Sequence, residues 1–329
     1  MARVGILGGG AFGTAMACVL RRSGHAVMVW AREPKVVASI NRKHVNRVFL
    51  PGVRLDPAIA ATGDPAAAVA DADFVLIATP AQHLRSVALP ISAFFSKDIP
   101  VVSCSKGIER GSLALMPEVL AAALPQARVA VLSGPSFAGE IAIGLPCGVV
   151  LAANDINFSR TLSTQIQNSQ FCVHPSDDPI GAAIGGVMKN VVAIAIGAAA
   201  GRKLGENARA TLVTLGLEET IRLGVAKGAK PATFMGLAGV GDMMLTAASL
   251  ASRNTSLGVA LGRGRKLARV LASRRAVTEG AHSAGAIVAL ARRLGVEMPL
   301  ASAVDRVLNH GASVDEAIAL LAAGARGAP

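Results

Sequence analysis

The chain has 329 residues, a formal net charge of +12, 52% hydrophobic and 3% aromatic residues, and no tyrosine. That length exceeds one ordinary hydrophobic core, so two domains are expected, and the apolar content excludes a disordered chain. Its basic residues are spread out, which argues against the clustered stripe of a nucleic-acid binder and leaves two readings, an ordinary solvated basic surface or attraction for an anionic cofactor and substrate.

The first element is an apolar run, Val4-Gly5-Ile6-Leu7, that suits a short buried strand. It opens the chain directly, so no signal peptide is expected. Gly8-Gly9-Gly10-Ala11-Phe12-Gly13 follows, and Thr14 to Leu20 reads as a helix with an apolar face. Strand, G-x-G-x-x-G spacing and helix together form a dinucleotide-binding fingerprint. Gly8 permits the tight turn, Gly10 lets backbone approach a pyrophosphate, and Gly13 lets helix and sheet pack closely. The helix N-terminus then offers free N–H groups and a partial positive charge.

The next strand, His25 to Trp30, ends in Ala31-Arg32-Glu33. An acidic residue at this place binds the ribose 2′-hydroxyl of NAD, and an arginine accommodates the 2′-phosphate of NADP. With both types side by side, the reading leans to NADP through Arg32, with NAD tolerated. Further strands are expected at Asp73–Ala78, Pro100–Cys104 and Arg128–Leu132, separated by segments long enough for the crossover helices of a parallel sheet. Pro146–Ala152 and Phe171–Val173 extend it.

Beyond about residue 180 helical signals replace this rhythm. Ile180–Gly201 is apolar enough to suggest a membrane span, but Lys189-Asn190 at its centre favours a buried helix. Glu206–Lys227 fits one long amphipathic helix. Arg292-Arg293-Leu294-Gly295 closes another, Met298-Pro299 begins the next, and the capping box Ser313-Val314-Asp315-Glu316 opens a last helix expected to stop at Gly324. The fold class is therefore α/β: a Rossmann-type, mostly parallel sheet in residues 1–180 and an all-helical domain in residues 181–329. The basic run Arg263 to Arg269, with Arg274 and Arg275, reads as a solvated helix face. Cys18, Cys104, Cys147 and Cys172 form no C-x-x-C pair and read as reduced core thiols, with no metal site.

Four polar clusters stand out against this apolar background. They are Ser103-Cys104-Ser105-Lys106-Gly107, Ser133-Gly134-Pro135-Ser136, the isolated Lys189-Asn190, and the set Gly241-Asp242, Leu245-Thr246 and Ser252-Arg253-Asn254. Each has a structural alternative. Lys106 could be solvated, Ser133–Ser136 could be a turn with a cap, Lys189 could reach the surface, and Arg253-Asn254 could cap a helix C-terminus. Their coincidence with a dinucleotide fold favours a site.

These segments, with Phe49-Leu50-Pro51-Gly52-Val53, Ser105 to Glu109, Gly239-Val240-Gly241-Asp242 and Thr278-Glu279-Gly280, resemble the bacterial NAD(P)-dependent glycerol-3-phosphate dehydrogenases over nearly the whole chain. The resemblance implies interconversion of sn-glycerol 3-phosphate and dihydroxyacetone phosphate for phospholipid synthesis, with NADP or NAD as cofactor. It implies Lys189 as the catalytic proton acceptor. Lys106, Gly134, Ser136, Lys189, Asp242, Ser252, Arg253 and Asn254 are then expected at the substrate. Gly8, Gly10, Ala11, Phe12, Gly13, Arg32, Phe49, Lys106, Ala138, Arg253, Val277 and Glu279 are expected at the cofactor. A β-hydroxyacid or ketopantoate-type dehydrogenase is the rival within the class, and a non-catalytic NADPH-sensing regulator is the rival outside it. The expected setting is a cytoplasmic homodimer acting on a small phosphorylated substrate, with no nucleic acid and no membrane insertion.

Overall fold

A computed structural model describes residues 1–95, 98–273 and 278–326. The chain begins with β1 (Arg3–Leu7), α1 (Ala11–Arg22), β2 (Ala26–Trp30), α2 (Pro34–Lys43), β3 (Val45–Asn46), β4 (Leu50–Arg54) and β5 (Ile59–Thr62). It continues with α3 (Pro65–Val69), β6 (Phe74–Ile77), α4 (Leu84–Ala88), β7 (Pro100–Ser103), α5 (Met116–Ala123) and β8 (Arg128–Ser133). Then come α6 (Ala138–Ala142), β9 (Cys147–Ala152), α7 (Ile156–Ile166) and β10 (Phe171–Ser176). The remaining described elements are helices: α8 (Pro179–Gly201), α9 (Gly205–Ala226), α10 (Pro231–Phe234), α11 (Asp242–Ala248), α12 (Arg253–Gly262), α13 (Leu267–Ala272), α14 (Glu279–Arg293), α15 (Pro299–Asn309) and α16 (Val314–Arg326). Contacts divide the chain into two units, residues 1–105 with 116–179, and residues 106–115 with 180–329.

The first unit is an eight-stranded sheet in the order β10-β9-β8-β7-β6-β1-β2-β5. Its central strands are apolar on both faces, as a helix-covered parallel sheet requires: every residue of Phe74-Val75-Leu76-Ile77 is buried. β5, β2, β1, β6, β7 and β8 run parallel. β9 departs from the parallel rhythm and pairs antiparallel with β8, and β10 then follows β9 in parallel. The chain between β8 and β9 carries only the five-residue α6, too little for a helical crossover, so it turns back. The edge strand β5, Ile59-Ala60-Ala61-Thr62, gave no strand signal because it is short and alanine-rich. Cys18 and Cys104 are buried thiols, but Cys172 is exposed and lies 3.5 Å from the His174 Nε2, since alternate residues of the edge strand β10 face outward.

In the second unit α8 is long and apolar enough to cross a membrane, with a mean hydropathy of 1.7, yet 89% of that stretch is buried in the protein. Its glycines explain how. A Cβ on Gly197 would meet the Thr255 carbonyl oxygen at 2.2 Å, and one on Gly258 would meet the Ile194 oxygen at 2.1 Å. The backbones of α8 and α12 therefore touch, and only glycine allows it. Apart from Leu223, the residues α9 buries are small or polar (Gly216, Glu219, Thr220, Gly224), while Leu215 and Val225 are exposed, so the expected continuous apolar stripe is absent there. The Glu219 carboxylate accepts from the N–H groups of Leu300 and Ala301 at 2.5 and 3.0 Å, capping α15. α16 runs through Gly324 to Arg326, past its expected stop, since one glycine costs a helix only about 1 kcal/mol. Arg263, Arg265 and Lys266 are exposed on the loop before α13, and Arg274 and Arg275 lie outside the described residues.

Candidate active site

The glycine turn has the geometry that its sequence demands. Gly8 sits at φ 134°, a region closed to other residues, and a Cβ there would meet the Ala78 carbonyl at 2.6 Å. A Cβ on Gly13 would lie 1.9 Å from the Gly8 oxygen, so α1 can start against the turn only with glycine. Gly10, by contrast, faces open space and is the N-cap of α1 with no side-chain cap. The first N–H groups of the helix are thus left for a ligand, beside the half-buried Ala11 and Phe12. This open cradle fits a dinucleotide pyrophosphate.

At the end of β2 the Arg32 guanidinium is largely exposed and pairs with the Glu33 carboxylate at 2.9 Å. Phe49 is half-buried immediately before β4. Beyond β8, Gly134 adopts φ 129° with Val149 packed beneath it, and the Ser136 hydroxyl donates to the Gly134 carbonyl at 3.0 Å. Ala138 opens α6 behind the N-cap Phe137.

The second unit gathers the charged residues. Asp242, at the start of α11, is wholly buried. One of its oxygens accepts from the Lys189 ammonium on α8, and the other accepts from Lys106 Nζ at 2.5 Å. The two lysine side chains are 12% and 16% exposed, so two ammonium groups share one carboxylate out of bulk water. Burial pushes the Lys189 ammonium down from 10.5 to about 8. The Asp242 carboxylate opposes that fall and the neighbouring Lys106 charge adds to it. The segment bearing Lys106 is tied to α14 by Arg110, whose Nη2 lies 2.7 Å from His282 Nδ1.

The polar residues around this cluster form a connected network. Asn254 Nδ2 donates to Asn190 Oδ1 at 2.8 Å, and Asn254 Oδ1 accepts from the Gly280 N–H at 3.0 Å. Asn254 therefore ties α8, α12 and α14 together beside Lys189. Ser252 is the N-cap of α12, its hydroxyl accepting from the Thr255 N–H at 3.2 Å. Arg253 opens that helix at its N-terminus, so the C-terminal capping alternative does not hold, and Glu279 opens α14. Val277 lies outside the described residues. Two residues that stood out in the sequence as polar, Asn190 and Thr246, had no role assigned there. Asn190 holds Asn254, and its position next to the lone buried-helix lysine was the available signal. The Thr246 hydroxyl, one turn after Asp242, is buried with no hydrogen bond among the described residues.

A glycine turn that opens a mostly parallel sheet, together with a buried lysine–aspartate–lysine cluster in a helical unit, describes a dinucleotide-dependent dehydrogenase. The chain belongs to the NAD-dependent glycerol-3-phosphate dehydrogenase family, whose N-terminal part matches residues 3–159 and whose C-terminal part matches residues 178–319. A glycerol-3-phosphate dehydrogenase (NAD(P)+) from Parvibaculum lavamentivorans is 49% identical over 97% of this chain and 96% of its own. Its counterpart from Caulobacter vibrioides is 50% identical over 96% of each chain. The crystal structure of glycerol-3-phosphate dehydrogenase from Coxiella burnetii superposes with a TM-score of 0.93 at 36% identity, covering 97% of this chain and 98% of that one.

Proposed function

We propose that the chain interconverts sn-glycerol 3-phosphate and dihydroxyacetone phosphate, with NAD or NADP as the redox cofactor. Family membership decides for this reaction over the β-hydroxyacid or ketopantoate-type alternative. The observation that carries it is the excess of buried positive charge, two lysines on one aspartate, which an anionic phosphate ester would neutralise.

Gly8, Gly10, Ala11, Phe12, Gly13, Arg32, Phe49, Lys106, Ala138, Arg253, Val277 and Glu279 are the residues assigned to the cofactor, most of them in the domain of residues 1–180. The bound nicotinamide supplies or accepts the hydride. The remaining work falls to this chain's side chains. Lys189 accepts the proton of the C2 hydroxyl during oxidation and returns it to the C2 oxygen during reduction. A group that titrates near 8 serves both directions around neutrality. Asp242 fixes the orientation of Lys189 and keeps its proton from leaving at lower pH. Arg253, at a helix N-terminus, offers a planar fork for the phosphate, and Lys106, Gly134, Ser136, Ser252 and Asn254 complete the substrate contacts. Asn254 does so chiefly by holding its neighbours, because both ends of its amide are already engaged.

We further read the protein as a cytoplasmic homodimer that supplies backbones for phospholipids. The direct test is loss of nicotinamide absorbance on adding dihydroxyacetone phosphate to purified protein, with NADH and NADPH in parallel. Turnover with dihydroxyacetone phosphate and none with ketopantoate is expected. The reverse pattern would reject the assignment.

A further inference from the structure

Asn46 is wholly buried at the end of β3, yet it belongs to none of the groups assigned above. Its amide nitrogen donates to the Gly9 carbonyl at 2.8 Å and to the Thr14 hydroxyl at 2.8 Å. Its amide oxygen accepts from the Phe49 N–H at 3.1 Å. A carbonyl only accepts and a backbone N–H only donates, so a single orientation of the amide satisfies all three. With both N–H groups and the oxygen engaged, complete burial is tolerated.

The consequence falls on the glycine turn. The peptide joining Gly9 to Gly10 is planar and trans, so its carbonyl and its N–H point in opposite directions. Drawing the Gly9 carbonyl onto Asn46 turns the Gly10 N–H the other way, at the one turn glycine whose Cβ position is open. Three consecutive glycines have little intrinsic preference for one backbone direction, and the Asn46 bond is what ties the Gly9 carbonyl. The surroundings leave the turn little slack, since a Cβ on Gly9 would already meet the Ala31 Cβ at 2.4 Å. The same amide also orders the backbone of Phe49.

We infer that Asn46 is a positioning residue for the cofactor: it sets the direction of the peptide that would face the pyrophosphate and fixes Phe49 beside it. This rests on the assignment of the glycine turn and Phe49 to NAD or NADP made above.

Equilibrium titration of NADH and NADPH onto the full chain, followed by nicotinamide fluorescence, tests this without turnover. Asn46→Ala removes all three hydrogen bonds. Asn46→Asp keeps the size and the acceptor for Phe49 but places an oxygen against the Gly9 carbonyl. Thr14→Val removes one partner of Asn46 and leaves the Gly9 bond intact, so it reports a general loss of stability. The Kd for both cofactors should rise about tenfold or more in the Asn46 variants and less than about threefold in Thr14→Val. The KM for dihydroxyacetone phosphate should move less than about threefold in all of them. A cofactor Kd within about threefold of the parent's, in whichever Asn46 variant folds, overturns the inference. So does an equal loss of cofactor affinity in Thr14→Val. A parent chain that binds neither cofactor would instead sink the cofactor assignment itself.

Discussion

Asp242→Asn isolates the electrostatics of the proposed proton donor, because it removes a buried charge and keeps the side-chain shape. Two effects compete at Lys189 in the parent: burial drives the ammonium towards the neutral amine, while the Asp242 carboxylate holds the proton on, and the balance falls at about 8. Losing one charge-assisted hydrogen bond costs the protonated form roughly 1.5–3 kcal/mol, or about one to two pK units. Lys189 in the variant should therefore titrate between about 6 and 7. Reduction of dihydroxyacetone phosphate consumes a proton at the C2 oxygen and needs the protonated lysine, so its rate falls as pH rises through this value. The assay is kcat for reduction at saturating substrate and cofactor across the pH range. In the parent the alkaline limb should fall near pH 8, and in the variant about one to two units lower. The rising limb of glycerol 3-phosphate oxidation should move down by the same amount. Two ammonium groups left without their carboxylate should also lower thermal stability by about 3–5 kcal/mol, less so at higher pH where Lys189 sheds its proton. A limb that stays in place or moves to higher pH refutes the proposed role of Asp242.

Other expected outcomes follow from the same geometry. Arg32→Ala should raise the KM for NADPH more than that for NADH, by the equivalent of roughly 1.5–3 kcal/mol, and Glu33→Gln, which releases Arg32 from its ion pair, should favour NADPH; equal effects on both cofactors would exclude a 2′-phosphate contact. Arg253→Lys keeps the charge and loses the fork, so kcat/KM should fall for dihydroxyacetone phosphate and much less for unphosphorylated dihydroxyacetone. An equal loss on both substrates would assign Arg253 to the fold or the cofactor. Gly13→Ala forces a Cβ within 1.9 Å of the Gly8 oxygen and should abolish measurable cofactor binding in titration, whereas Gly10→Ala, with open space at its Cβ, should leave the fold intact by thermal melting.

What the sequence discloses depends on whether a residue's role is local. Gly8 and Gly13 are legible because the turn needs their missing side chains at fixed spacing, and the structure places backbone where a Cβ would go. Lys189 is legible because a charge in an apolar helix must have a partner. Its partner Asp242, 53 residues away, stood out only as one of a polar set, and its place in the site came from the family resemblance rather than from polarity. Lys106 on the same carboxylate, 136 residues from Asp242, was read as a substrate and cofactor contact but not as a partner of Asp242. Asn46 carries no signal of its own, since its bonds reach 37 residues back to Gly9 and arise only once β3 is placed. The reversal at β9 was hidden because its apolar run is compatible with either direction. The edge strand β5 and the reversed partner β9 are thus tertiary outcomes, while the central strands follow from their own composition.

Lys189 is proposed to carry the proton while the glycine turn carries the cofactor. Lys189→Met separates the two, measured as kcat for dihydroxyacetone phosphate reduction beside an equilibrium titration of NADPH and NADH. A fall in kcat of about 10²–10⁴-fold is expected, with cofactor Kd values within about threefold of the parent's. A variant that keeps near-native kcat, or one that loses cofactor binding along with turnover, would contradict this proposal.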